Sequence, residues 1–112
     1  MLSAPNRLTR SDDFTHVVRR GRRAGGPLLV THLLDAGDDA KTLVGFVVAK
    51  NVGNAVTRNV VKRRLRHLMR ERLGMLPSGS TLVVRAQPKA AQCSFSELTE
   101  ALDRSLRRVM AQ

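Results

Sequence analysis

Residues 42–73 read TLVGFVVAKNVGNAVTRNVVKRRLRHLMRERL, and the periodicity changes within them. The first nine residues are apolar and rich in β-branched side chains, the pattern of a strand. From about Asn54 the apolar positions space themselves as on a helix. At about 100° per residue, Val61, Leu65, Leu68 and Met69 gather in a quarter to a third of the circumference, enough for a core stripe. Gly74, Pro77 and Gly79 then break the chain. Beside the core stripe, Ala55, Asn59, Lys62, Arg63, Arg66 and Arg70 collect in a sector of their own, and Glu71 is the only local counter-charge. A helix needing only solubility would mix signs, because like charges one turn apart repel. This stripe is therefore read as a face that meets a polyanion.

Working outward, residues 80–86 (STLVVRA) form a continuous apolar run, expected as a strand buried on both faces. Residues 28–34 (LLVTHLL) form another short strand, and Gly37, Asp38 and Asp39 suit a turn. That turn suggests antiparallel pairing of residues 28–34 with residues 42–50. Toward the N-terminus, Ser11 is placed as a helix cap, with Asp12 and Asp13 set against the positive end of the dipole. Phe14, Val17 and Val18 share one side of that helix, and Gly21 stops it. Ser94 and Glu97 have capping-box spacing and open a last helix with the stripe Leu98, Leu102, Leu106 and Val109. The order is helix, strand, strand, helix, strand, helix, with room for one additional short strand. It describes a single α+β domain over residues 1–112, helices packed on a small sheet.

The composition bounds function. Lys plus Arg number 20 against 9 Asp plus Glu, for a net charge of +11 in 112 residues, a field that favours nucleic acid. Sixteen of these cations are Arg, whose planar fork grips two phosphate oxygens. No apolar run approaches the roughly 20 residues of a spanning helix, and no signal core follows the first residues, so a cytoplasmic address and no membrane partner are expected. Cys93 stands alone, which leaves no internal disulfide and no cysteine metal cluster. A second basic cluster, Arg19, Arg20, Arg22 and Arg23, is either an RNA contact or a solubilising loop. Asp12 with Asp13, and Asp38 with Asp39, are more simply a helix start and a turn than a metal pair. His16, His32 and His67 raise the alternative of a self-sufficient ribonuclease, but no base with an orienting partner is visible among them. Only three Phe and no Tyr or Trp are present, so recognition should be mostly of backbone and shape. Phe14 is the ring with a place near a ligand, or else in the core.

The chain resembles the protein component of bacterial ribonuclease P. The resemblance is carried by Lys50, the string VGNAVTRN at residues 52–59, Lys62 with Arg63, and Arg66. Residues 6–21 (NRLTRSDDFTHVVRRG) are similar to the family's N-terminal R-L-x-x-x-x-D-F segment, and VGFVVAK precedes the motif as a family strand does. The resemblance implies a protein that partners a catalytic RNA, which removes the 5′ leader of precursor tRNA using Mg2+, with no catalytic residue and no metal site in the protein. It implies a monomer in a 1:1 complex with ribonuclease P RNA. It also implies a left-handed βαβ crossover, an exception to the right-handed rule, of the kind found in a small-subunit ribosomal protein domain. Carried over by residue, Lys50, Asn54, Arg58, Asn59, Lys62, Arg63, Arg66 and Arg70 are the RNA-binding motif. Phe14, Val18 and His32 line a leader cleft between the first helix and the sheet. Asn51 stands where a second Lys is common, and Val60 stands where an Arg usually follows "RN". The alternative function is a structural RNA-binding protein of the ribosomal type.

Overall fold

The computed structural model describes residues 6–35, 37 and 41–112. In chain order the elements are α1 (Ser11–Arg20), β1 (Arg22–Gly25), β2 (Leu29–Asp35), β3 (Leu43–Val47), α2 (Ala55–Arg72), β4 (Ser80–Ala86) and α3 (Phe95–Met110). Short 3-10 turns occupy Lys50–Val52, Leu73–Met75 and Pro88–Ala91. The sheet order is β1-β2-β4-β3; β4 runs antiparallel to β2 and parallel to β3.

Three expectations are corrected. Residues 28–34 and 42–50 do not pair with each other, because β4 lies between them. Leu82, Val83 and Val84 are fully buried, and a strand apolar on both faces belongs at the centre of a sheet. Of the expected turn, Gly37 adopts φ 98°, while Asp38 and Asp39 lie outside the described residues. The additional short strand is β1, in what was read as a basic loop; it pairs with β2 and buries Ala24. Gly21 makes this possible. A Cβ there would stand 2.6 Å from the Val17 carbonyl oxygen and 2.8 Å from that of Leu33, so only glycine lets α1 turn so tightly onto the sheet. Finally, Ser11 is the first helical residue of α1 rather than its cap. Arg10 holds the cap position without a side-chain bond, and Asp12 and Asp13 remain to complement the dipole.

The sheet separates two apolar layers. On one face Leu29, Leu33 and Val84 meet Leu65 and Met69 of α2 and Leu98, Leu102 and Leu106 of α3. On the other, Val83 packs with Leu8 and Val17, flanked by Phe14, Leu34, Leu43 and Val47. Each fully buried Leu contributes about 1.5–3 kcal/mol, so the larger layer orients α2 and α3. The α3 capping box forms as expected: Ser94 N–H donates to Glu97 Oε1 at 2.8 Å, and Glu97 N–H to Ser94 Oγ at 3.0 Å. Hydrogen bonding from the Ser94 backbone N–H, and then from its side chain, holds the Glu97 carboxyl below its ordinary pKa.

Candidate nucleic-acid interface

Burial of Val61, Leu65, Leu68 and Met69 fixes the rotation of α2 about its axis. Its start is set by Asn54, whose Oδ1 accepts the Thr57 N–H at 2.9 Å. That bond gives Asn54 a capping role, worth about 1 kcal/mol, in addition to the one the resemblance assigns. The rotation leaves Asn59, Arg63 and Arg70 exposed, with Arg58, Lys62 and Arg66 half-buried at the edge of the stripe. Lys50 is exposed on the 3-10 turn that leads into the helix. Among the described residues none of these cations makes a salt bridge. The Nε of Arg58 is buried without a partner. Arg72, on the same helix, is already engaged. Its Nε donates to Asp103 Oδ1 at 2.6 Å and its Nη2 to Oδ2 at 3.3 Å, clamping α2 to α3.

A groove of about 320 Å³ runs along β3, the edge strand. Arg7, Leu8, Thr9 and Phe14 form one wall, Val44, Gly45 and Phe46 the floor, and Lys62 and Arg66 the opposite wall. It continues past Ser11, Thr15, Val47 and Val48. Phe14 is seated by an absent side chain: a Cβ on Gly45 would lie 2.5 Å from two carbons of the ring. The groove therefore combines two rings with three cations, Arg7, Lys62 and Arg66, the elements of a single-stranded nucleic-acid site.

The face of the sheet that carries α1 adds a second cationic region. Strand register places Arg23, His32, Val83 and Gly45 in one row, and Val30, Arg85 and Val47 in the next. Phe14 and Val18 stand one turn apart on α1; Val18 is 37% exposed. His32 is only 1% exposed, so its ring lies beneath the surface rather than lining the β3 groove. Neither ring nitrogen has a hydrogen-bond partner. Burial first, then the nearby Arg85 and Arg23, hold its pKa below the ordinary 6.5.

The basic cluster of residues 19–23 divides. Arg19 and Arg20 are exposed in the last turn of α1, and Arg23 is exposed beside His32. Arg22 instead lies 3.5 Å from Asp35 and donates to the Gln112 carbonyl at 2.8 Å. The three imidazoles stand apart. His16 lines a pocket with Asp13 on α1, His32 is inside, and His67 lies 3.9 Å from Glu71 on α2, across the sheet from α1. Among the described residues no three His, Cys, Asp or Glu converge on a common point. No described helix is long and apolar enough to cross a membrane.

Sequence reading passed over Phe46, Arg7 and Arg85. Phe46 sits in an apolar strand and looks like core; only the edge position of β3 exposes it to the groove. Arg85 did carry a signal, as the one charge in an otherwise apolar strand.

Comparison with known proteins decides the family. The family model described as Ribonuclease P matches residues 2–110. The chain belongs to the ribonuclease P protein family. It is 52% identical to the ribonuclease P protein component of Streptomyces avermitilis, over 98% of this chain and 96% of that protein. It is 54% identical to that of a Nocardioides species, over 100% and 97%. Among solved structures it is similar to the ribonuclease P protein from Thermotoga maritima, with TM-score 0.79 and 28% identity over 92% of this chain and 96% of that one. The Staphylococcus aureus protein matches with TM-score 0.83 over 91% and 93%, and at 22% identity it supports the fold. The chain's function is thus that of the protein subunit of ribonuclease P, an endoribonuclease of tRNA processing, and its partner is ribonuclease P RNA.

Proposed function

We propose that this subunit lays the α2 stripe against phosphates of ribonuclease P RNA and holds the 5′ leader of precursor tRNA in the β3 groove and across the adjoining sheet face. The observation that carries this reading is the groove itself, where Lys62 and Arg66 face Phe14 and Phe46 with no acid between them. Lys62, Arg63, Arg66 and Arg70 neutralise phosphate, and Asn59 adds a directional hydrogen bond without charge. Phe14 and Phe46 offer ring faces to leader bases, while Arg23 and Arg85 attract the backbone that follows. His32 and Val18 support that face beneath and beside α1. The cleavage chemistry belongs to the RNA and its Mg2+. The protein raises substrate affinity and lowers the Mg2+ requirement, as a cytoplasmic monomer in a 1:1 complex.

The test is reconstitution with a ribonuclease P RNA. Replacing Arg63 and Arg66 together with Ala should slow precursor processing at low Mg2+ and leave the melting curve in place. The slope of log affinity against log salt should fall by about 1.5, the share of two phosphate contacts. An unchanged rate and slope would remove the stripe from the interface.

A further inference from the structure

The flank of α2 away from the groove carries an aromatic pair that the proposed function leaves unused. Phe95, the first residue of α3, is 42% exposed in a chain with only three Phe. Its ring centroid lies 6.1 Å from that of His67, with the planes at 57°. The His67 side chain is itself 58% exposed. Two fixings hold the pair in place. The capping box sets the start of α3, and Arg64 Nη1 donates to the Cys93 carbonyl at 3.3 Å, tying α2 to the residues just before Phe95. The core does not need this ring, because Leu98 and Leu102 already fill that side of α3. On the α2 wheel, Arg63 and Arg70 stand only about 40° and 60° from His67. The rings therefore border the phosphate-binding stripe, and charge complementarity names the occupant.

We propose that Phe95 and His67 form a stacking platform for an unpaired base of ribonuclease P RNA, a second contact on the side of α2 opposite the leader groove. The inference rests on the stripe being an RNA contact. A base stacked on the Phe95 ring releases no counterions, so this contact differs from the stripe in kind: it adds affinity without adding salt dependence. Stacking of one base is worth about 5- to 100-fold in affinity.

The chain has no Trp or Tyr, so Phe95→Trp supplies a single fluorescent reporter at the platform. Titrating that variant with ribonuclease P RNA should change its emission at saturation while keeping the parent's affinity. Phe95→Ala should melt like the parent and bind about 5- to 100-fold more weakly, with an unchanged salt slope. Arg63→Ala, in parallel, should lower the slope. Parent-like affinity of Phe95→Ala, or unchanged Trp emission at saturation, overturns the platform. An emission change that follows protein concentration without RNA assigns the ring to self-association and also overturns it. If Arg63→Ala leaves affinity and slope untouched as well, the failure lies with the stripe.

Discussion

The two edges of the sheet use arginine in opposite ways. At the β1 edge the Arg22 and Arg108 guanidinium groups are consumed by the fold, while that of Arg23 stays exposed. Arg22 bridges Asp35 and the Gln112 carbonyl, Arg108 Nη1 donates to the Gly25 carbonyl at 2.8 Å, and Gln112 Nε2 donates to the Arg23 carbonyl at 2.6 Å. The end of α3 thereby closes the strand that would otherwise offer free backbone for pairing. At the β3 edge Lys62 and Arg66 overlook an open groove, and among the described residues no carboxylate meets them. Counting cations would rank the two edges together. Counting which cations are already paired separates a structural edge from one available to a ligand.

The strongest way to break this contrast is at Gly45. Gly45→Ala places a methyl group where the Phe14 ring sits. Overpacking of this kind costs about 1–3 kcal/mol, and for a domain of this size each kcal/mol lowers Tm by roughly 4–8 °C. The displaced ring should also weaken leader binding. Adding Phe14→Ala should recover part of the lost stability and none of the leader affinity, because it removes the clash together with the ring. Thermal melts and leader titrations across that double-mutant cycle measure the coupling. A Tm unaffected by Gly45→Ala would mean that the ring is not seated on this glycine.

Paired arginines provide the converse. Arg72 is only 16% exposed at its side chain and grips Asp103 through two nitrogens. Arg72→Ala should cost about 1–3 kcal/mol, the range for a hydrogen-bonded charged group. Arg22→Ala, whose partner Asp35 is 61% exposed, should cost less than about 1 kcal/mol. Neither should change the salt slope of RNA binding, whereas replacing Arg63 and Arg66 should lower it. A lowered slope in the Arg72 variant would undo the division into paired and available cations.

Sequence legibility followed the same division. The core stripe of α2, the capping box of α3 and the burial of β4 each rest on a local pattern, and each was readable. Strand neighbours were not. Insertion of β4 between β2 and β3 depends on which strand most needs two buried faces, a competition across the whole sheet. β1 was hidden because Arg22 and Arg23 look like loop residues until the tight turn at Gly21 and the alternation that buries Ala24 are seen together. The stripe was legible as charge without acid, since α2 supplies both its cations and its orientation. The groove was not, because Phe46 becomes part of the floor of a site only once β3 is known to be an edge. The resemblance to the family assigned His32 to the leader cleft, and only the packed sheet shows that its ring lies beneath the surface.

His32 gives the smallest and most diagnostic effect, since it sits in the row joining Arg23 of one edge to Gly45 of the other. Burial, then Arg85 and Arg23, keep the folded-state imidazole neutral below its ordinary 6.5. The unfolded chain takes up its proton near that ordinary value, so between 6.5 and the lower folded pKa the unfolded state binds more protons. Stability then rises with pH in that window: the contribution is fully present above 6.5 and is lost as the pH falls toward the folded value. Melting the parent and a His32→Leu variant at pH 7.5 and 5.5 isolates this term, because Leu fills a buried position without titrating. The parent should lose more Tm on acidification than the variant. Equal losses would mean that His32 is not held neutral between the two arginines, and the sheet face would then carry one more cation than the paired and available groups account for.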